Sequence, residues 1–234
     1  TPCAADCRSL LQRAAADAAQ EGITFAFGSE MEFYLFRRDE NGEPTRIPYD
    51  NAGYMDIAPE DKGENVRREI CLTLEQMGIQ PERSHHEEGP GQNEIDFRYA
   101  DPVTAADNAV TFRTVVHTIA ARNGLCADFS PKPLAHAPGN GMHVNFSVHA
   151  VDGRDVMPEV IAGILAHITE MTAFLNATEN LITVSASGRH RDISPGRART
   201  ARSSSGSRRR TANIAARSCA HRIRCATPIW RLRC

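Results

Sequence analysis

Acidic and histidine side chains recur at alternate positions in three short segments of this chain that have the character of β-strands. The segments are G-S-E-M-E-F-Y-L-F (28–36), G-Q-N-E-I-D-F-R-Y (91–99) and G-M-H-V-N-F-S-V (141–148). Carboxylates in this number favour a site for divalent cations, which take oxygen ligands and offset the repulsion between the acids.

The alternation sorts the residues of each strand onto two faces, because side chains at positions i and i+2 point the same way. Glu30 and Glu32 are therefore expected to point away from Met31 and Phe33. The other two strands are expected to place these residues on their polar faces: Glu94, Asp96, Arg98, His143, Asn145 and Ser147. Three such strands side by side predict a trough lined by carboxylates, with an apolar core on the opposite side.

The charge of the chain is divided unevenly along its length. The net charge is −2, but residues 1–180 hold 14 Lys and Arg against 28 Asp and Glu, which gives −14, while residues 181–234 hold 13 Arg against Asp192 alone, which gives +12. We therefore expect two regions: a partial catalytic domain over 1–180 and an Arg/Ser-rich, non-native or disordered tail over 181–234.

Several classes of protein are disfavoured by composition. The chain has no run of about 18 apolar residues, so no membrane span is predicted. No secretory signal is recognisable. The seven cysteines follow neither a disulfide nor a zinc spacing, which indicates a reducing, cytoplasmic environment.

Helical periodicity alternates with the strand segments throughout the first 180 residues. It predicts helices over 8–21, 64–77, 102–123 and 156–175, further strands over 79–87 and 125–130, and a polar loop over 39–63. Strands interleaved with helices fit either an α/β or an α+β class, and we expect mainly antiparallel pairing.

Four motifs in a fixed order carry a resemblance to a known family. They are Glu30-x-Glu32, His85-His86-Glu87, Gly91-Gln92-Asn93-Glu94 and Gly139-Asn140-Gly141-Met142-His143. In this order they resemble the catalytic domain of glutamine synthetase, over nearly all of residues 1–180. The resemblance implies an α+β fold in which a mainly antiparallel, curved sheet is flanked by helices.

The resemblance also implies two metal sites and a reaction. Glu32, Glu87 and Glu94 correspond to ligands of a first Mg²⁺ or Mn²⁺ ion, and Glu30 and His143 to two ligands of a second ion. In the family, the γ-carboxylate of glutamate attacks ATP to give an acyl phosphate, which ammonia then displaces. Glutamate, ammonia and ATP are thus the expected partners, and no protein side chain is assigned as catalytic.

Further residues correspond to substrate contacts of the family. Gly139 is expected to contact the amino acid through its backbone, and these residues to contact the nucleotide: Glu82, Phe97, Arg98, Tyr99, Asn145 and Ser147. Two positions depart from the family pattern: Asn145 stands where many members have His, and Pro138 stands where several have Asn. Since Pro138 adjoins the amino-acid pocket, ligation of glutamate to an amine other than ammonia stays open.

Less specific interpretations exist for each motif taken alone. A single Glu-x-Glu on a strand is more often a solvated face, and His85-His86 is more often a surface or capping pair than a ligand set. The Arg-rich tail is also compatible with nucleic-acid binding, although it lacks interleaved aromatic residues apart from Trp230 and is not favoured. A catalytically inactive homologue that acts through oligomer contacts is a third possibility.

The family's later motifs are not found in residues 181–234. Those motifs, A-P-x-Y-I-S-W, N-R-S-x-x-x-R-x-P and E-x-R-S-P-D-P-x-x-N-P-Y, supply phosphate-binding arginines and the third ligand of the second metal. Permissive codons for 190–196, 200–209 and 218–232, read one nucleotide earlier, encode all three in order. We therefore hypothesise a single frameshift near residue 181, genuine or a sequencing error, which sequencing across the Asn180 codon would decide.

The expected consequence of that frameshift is a chain with little or no ligase activity. The first residues also look like the end of the family's N-terminal β-grasp domain, which completes the active site of a neighbouring subunit. Intact relatives form dodecamers of two hexameric rings, an assembly that we do not expect of this chain as it stands.

Overall fold

A single antiparallel sheet organises the part of the chain that the structure, a computed structural model, describes, namely residues 5–175 and 211–217. The helices are α1 (Cys7–Gln20), α2 (Glu64–Gln76), α3 (Pro102–Arg122), α4 (Met157–Ala166) and α5 (Ile168–Leu175). The strands are β1 (Ile23–Arg38), β2 (Pro44–Pro48), β3 (Pro81–His86), β4 (Gln92–Phe97), β5 (Leu125–Asp128), β6 (Gly141–Ala150) and β7 (Thr211–Arg217). The α+β class with a mainly antiparallel sheet is confirmed.

Strand β1 is the centre of this sheet. The strand order is β3-β4-β1-β6-β7, and β2 and β5 pair with the C-terminal part of β1. Residues 23–31 of β1 pair with β6, and residues 30–34 pair with β4 on the other side. Residues 30 and 31 therefore have partners on both sides, so the strand that carries the Glu-x-Glu motif is the most enclosed part of the sheet.

The apolar face of the sheet packs against α2 and α3. Met31, Phe33 and Leu35 point into a cluster that includes Ile70 of α2 and Phe112 of α3, all 3% exposed or less. Helix α3 begins in the way the sequence indicates, because the Asp101 side chain accepts hydrogen bonds from the first free N–H groups and Pro102 occupies the first turn. Packing against the two helices thus holds the odd-numbered side chains 31, 33 and 35 of β1 in the core. The even-numbered side chains consequently lie on the opposite face of the sheet.

A second apolar cluster continues the core toward the N-terminal end of β1. Phe25 and Phe27 of β1 lie against Phe146 of β6, with ring centroids 6.4 and 6.3 Å from that ring. Met157, at the start of α4, packs against the same cluster. This packing fixes the register between β1 and β6, on which the position of His143 depends.

The structure departs from the sequence-based boundaries in three places. Strand β1 begins at Ile23, five residues before 28, and the predicted polar loop 39–63 contains β2. The helix predicted over 156–175 is interrupted at His167, which separates α4 from α5. The strand is longer because its early residues find β6 as a partner, which periodicity within one segment does not reveal.

Residues 211–217, inside the predicted disordered tail, form strand β7 against β6. The rest of the tail predicted over 181–234 lies outside the described residues. In the part of the chain that the structure describes, no helix combines the length and apolar character that crossing a bilayer requires.

The aromatic core gives a first prediction. Phe112 is fully buried and contacts the rings of Phe33, Phe97 and Phe129. Replacing Phe112 with Ala should lower the free energy of unfolding by about 3–5 kcal/mol, because the cavity removes contacts with all three rings. Val110→Ala on the exposed side of the same helix should change it by less than about 0.5 kcal/mol. Urea unfolding followed by circular dichroism measures both, and equal losses would contradict this account of the core.

Candidate metal and nucleotide site

The strand register places acidic and histidine residues in two rows across the polar face of the sheet. In the first row, Asp96 of β4 and His143 of β6 lie opposite Glu30 of β1. In the second row, Glu94 of β4 lies between Glu32 of β1 and His85 of β3. Directly opposite residues of antiparallel strands share a face, so the side chains of each row converge.

His143 is held by Glu30 in an orientation suited to a metal ligand. Its Nδ1 lies 3.0 Å from Glu30 Oε2, and Asn145 Nδ2 donates to Glu30 Oε1 at 3.0 Å. When Nδ1 of an imidazole donates its hydrogen to a carboxylate, Nε2 faces away from that carboxylate and is the nitrogen that can bind a metal. That Nε2 is buried and has no hydrogen-bond partner. A buried imidazole nitrogen with its other nitrogen bonded to a carboxylate is the usual arrangement of a metal-binding histidine.

Gly141 keeps the space between the two rows open. A Cβ atom at this position would lie 2.8 Å from Glu32 Oε1 and 2.9 Å from His143 Nε2. The Gly141 N–H also donates to Glu32 Oε2 at 2.9 Å. A side chain at residue 141 would therefore enter the region that Glu32 and His143 border.

Glu94 lies where the two rows and the β3–β4 turn meet. Its carboxylate comes within 4.8 Å of the ligand atoms of Glu30 and His143, and also of those of His85 and Glu87. Both nitrogens of His85 lie 3.7 Å from a carboxylate oxygen, Nδ1 from Glu87 and Nε2 from Glu94. Of the predicted set Glu32, Glu87 and Glu94, the last two are thus brought together with His85, while Glu32 lies opposite Glu94 on β1 and outside these close groups.

Crowding of the acids changes their ionisation. Burial raises the pKa of Glu94 far above its usual range, and a hydrogen bond with Glu87 and the charges of Asp96 and Glu32 raise it further. Burial and the charge of Glu30 likewise raise the pKa of Asp96. Asp96 Oδ1 is also buried without a hydrogen-bond partner. Positive charge bound at this face would favour the ionised form of these acids.

Sequence reasoning did not include Asp96 and His85 among the metal-binding residues. The signal for Asp96 was present, because it lies two positions after Glu94 and so shares its face. His85 depends on the β3–β4 register, which no periodicity within one strand predicts.

A second group of buried acids lies behind the β3–β4 turn and is balanced by protein cations. Arg67 donates to both oxygens of Asp61, at 3.1 and 2.5 Å, and His86 Nε2 lies 2.9 Å from Asp50 Oδ1. Burial lowers the pKa of His86, but its hydrogen bonds to Asp50 and to the carbonyl of Glu87 raise it overall. Two acids face two cations here, so we interpret this group as structural rather than as a metal site.

The residues predicted to contact a nucleotide are only partly gathered in one place. A cavity is lined by four of them, Glu82, Phe97, Tyr99 and Asn145, together with Glu30 and Asp96. The Phe97 side chain itself lies in the apolar core. Arg98 is exposed, with its Nε 3.8 Å from Glu82 Oε1, and Ser147 pairs with Ala26 further along β6. The structure brings neither Arg98 nor Ser147 to the lining of this cavity.

Tyr99 lies directly over Gly28 at one wall of the cavity. A Cβ atom at residue 28 would come within 2.9 Å of the Tyr99 ring. The small residue thus lets the partly exposed aromatic ring of Tyr99 lie close to the sheet beside the acids.

Gly139, the predicted amino-acid contact, lies in the loop before β6. Its carbonyl accepts a hydrogen bond from Gln92 Nε2 at 3.1 Å, and the carbonyl of the preceding residue, Pro138, accepts one from the Tyr34 hydroxyl at 2.7 Å. This loop therefore lies next to the second row of acids, on the side away from the cavity beside Glu30.

Comparison with known proteins identifies the class to which this fold and site belong. A model of the glutamine synthetase catalytic domain matches residues 4–182. The chain is a member of the glutamine synthetase family.

Individual relatives agree with this family. The chain is 48% identical over 192 residues to a glutamine synthetase of Clostridium saccharobutylicum, an alignment that covers 77% of this chain and 43% of the relative. A crystal structure of a novel glutamine synthase homolog superimposes with a TM-score of 0.70 at 26% identity, covering 81% of this chain and 46% of the other. A GmaS–ADP complex superimposes with a TM-score of 0.65 at 28% identity, covering 80% and 45%. The chain spans less than half the length of the curated relatives it matches.

The raised pKa values of Glu94 and Asp96 predict how stability depends on pH. An acid whose pKa is higher in the folded state binds more protons there than in the unfolded state, so stability falls as pH rises from the unfolded pKa through the folded one. The protein in EDTA should therefore melt at a lower temperature at about pH 8 than at about pH 5.

Glu94→Gln tests this origin of the pH dependence. The substitution should raise the melting temperature at the higher pH and flatten the dependence, because it removes the most strongly opposed charge. Glu88→Gln, at an exposed neighbouring acid, is the matched control and should leave the wild-type profile. A profile of Glu94→Gln that parallels the wild type would show that the acids are not coupled as described.

Proposed function

We propose that this chain is the metal- and nucleotide-binding part of a ligase that joins glutamate to ammonia at the expense of ATP, through a γ-glutamyl phosphate. The observation that carries the proposal is the convergence of Glu30, Glu32, Glu94, Asp96 and His143 on one face of the sheet, with His143 Nε2 and Asp96 Oδ1 buried and unbonded. Family membership supplies the reaction, and the geometry supports its metal requirement.

The donor set fits Mg²⁺ or Mn²⁺. Carboxylates with one imidazole are ligands that these ions accept, whereas a structural zinc site would call for cysteine or more histidine. Glu32, Glu87 and Glu94 would hold one ion, and Glu30 with His143 another. His85 adjoins the first set, and Asp96 lies opposite Glu30 of the second. Bound there, such ions supply positive charge that neutralises the phosphate oxygens during phosphoryl transfer.

The cavity beside Glu30 is the proposed place of the nucleotide. It is bordered by Glu82, Tyr99 and Asn145, and it opens next to the first row of acids, where ATP phosphates would meet a cation held by Glu30 and His143. The structural similarity to a GmaS–ADP complex supports nucleotide binding by a protein of this fold. We propose the same role for the backbone of Phe97, and for Arg98 and Ser147 as contacts at the periphery.

The amino acid is proposed to bind at Gly139, beside the second row. Glutamate placed there would have its γ-carboxylate near cations held by Glu32 and Glu94, which reduces the repulsion between this anion and the acidic face. The identity of the acceptor, ammonia or another amine, depends on the pocket that includes Pro138. Assembly into the family's homo-oligomer is part of the proposal for the whole protein and not for this chain alone.

Calorimetric titration with Mn²⁺ tests the metal site without requiring turnover. The chain should bind Mn²⁺, and His143→Ala should weaken the affinity by about 10- to 100-fold because a ligand is lost. His149→Ala, at an exposed histidine of the same strand, is the matched control and should bind as the wild type does. Equal affinities for all three proteins, or no binding by the wild type, would refute the proposal.

A coupled phosphate-release assay with glutamate, ammonium and ATP then tests the reaction. We expect at most slow turnover by this chain, because the residues that follow position 181 do not carry the family's phosphate-binding motifs. Turnover that requires Mn²⁺ or Mg²⁺ and all three substrates would establish the activity directly.

A further inference from the structure

The side chain of Gln92 joins three separate parts of the site. It is fully buried at the start of β4 and lies opposite Tyr34 on the polar face of the sheet. Its Nε2 donates to Glu32 Oε2 at 2.9 Å and to the Gly139 carbonyl at 3.1 Å, with Asn140 Oδ1 at 3.3 Å. Its Oε1 accepts from the Gly89 N–H at 3.0 Å. One amide therefore connects a proposed metal ligand, the proposed amino-acid loop and the β3–β4 turn.

Only an amide of this length meets these requirements. The position needs two N–H donors aimed at acceptors and, on the same group, one oxygen aimed at the Gly89 N–H. A glutamate would keep the Gly89 contact but would place an oxygen against the Glu32 carboxylate and the Gly139 carbonyl. A methionine would keep the length and lose all of these hydrogen bonds.

Other contacts also anchor the loop to the sheet, and at its end the Gly141 N–H donates to Glu32 Oε2. The Tyr34 hydroxyl donates to the Pro138 carbonyl, and Asn140 Nδ2 donates to the carbonyls of Asp128 and Ser130. These bonds set where the loop lies. Gln92 adds a side-chain connection between the loop and Glu32, so a displacement of one is transmitted to the other.

We propose that Gln92 is a positioning residue that sets the distance between the Gly139 carbonyl and the Glu32 carboxylate. It thereby tunes the affinity of the site for an α-amino acid that binds at Gly139 in the presence of a divalent cation held at Glu32. The ligand part of this inference rests on the proposed function; the positioning part rests on the hydrogen bonds alone.

Hydrogen–deuterium exchange of the protein without added ligand tests the positioning. In Gln92→Glu and Gln92→Met, the amide of Asn140 should exchange at least about tenfold faster than in the wild type, because the loop loses its side-chain connection to the acidic face. The amides of Val116 and Ile119 in the middle of α3 should exchange at the wild-type rate. Gln76→Glu, at the exposed end of α2, adds the same charge as Gln92→Glu and should leave the loop unchanged.

The outcomes separate a local tie from a general loss of stability. Faster exchange confined to residues 130–141 in both variants supports the inference. Exchange that rises equally in α3 and in the loop, or that does not change in Gln92→Met, overturns it. Since Gln92→Glu retains the acceptor for the Gly89 N–H, it serves as the second variant if Gln92→Met does not fold.

Calorimetry with Mn²⁺ and then with L-glutamate tests the consequence for binding. Gln92→Met should lower the affinity for L-glutamate at saturating Mn²⁺ by at least about tenfold, and by a larger factor than it lowers the affinity for Mn²⁺, which also falls because Gln92 bonds the metal ligand Glu32. Equal losses for the two ligands would show a structural role and overturn the tuning. If the wild-type chain binds neither ligand, the proposed function fails, whereas the exchange experiment still decides the position of the loop.

Discussion

Repulsion between carboxylates on one face of a buried sheet is the constraint around which this domain is built. Glu30, Glu32, Glu94 and Asp96 occupy neighbouring positions on two paired strands, an arrangement of like charges that by itself opposes strand pairing. The opposite face of the same strands provides the compensation, because its large apolar side chains are almost completely buried against α2 and α3. Because side chains alternate along each strand, the same backbone carries apolar core residues on one face and mutually repelling acids on the other. Burial of the core therefore offsets the repulsion within the site.

Two groups of buried acids in the described residues show how differently such charges can be handled. Asp50 and Asp61 each face a protein cation; Arg67 bonds both oxygens of Asp61, and those of Asp50 are bonded by His86 together with the N–H groups of Gly91 and Lys62. The acids of the two rows are approached instead by neutral donors, such as Asn145, Gln92 and the Gly141 N–H, and by histidines. Neutral donors orient a carboxylate without cancelling its charge, so the second arrangement retains a demand for a cation that the first does not. This contrast, more than the number of acids, separates a candidate metal site from a structural cluster.

The sequence predicted the faces of the strands better than their pairing. Alternation alone placed Glu30, Glu32, Glu94 and His143 on polar faces, and their convergence followed once the strands were assumed to be neighbours. It did not predict that β4 and β6 flank β1 at the same two residues, nor that β3 brings His85 to Glu94, because register depends on contacts between distant segments. The short strand β2 was missed for the same reason, because it is formed by pairing with β1 and not by its own periodicity. The resemblance to the family supplied roles that geometry by itself does not give, and those of Arg98 and Ser147 remain predictions.

The first row of the site also connects the structure with the frameshift hypothesis. Beyond His143 the row continues onto β7, where the register places Ala215, a residue that carries no ligand atom. In the hypothesised frame, the codon of Ser218, the residue that follows β7 in the sequence, would be regrouped to encode the glutamate of an E-L-R-S-P-D-P segment. That glutamate would stand three residues after Ala215 in the sequence, and the resemblance to the family assigns the third ligand of the second metal to these later motifs. The reading frame after residue 181 therefore decides whether the first row has its full set of ligands. We expect that restoring the frame completes this set.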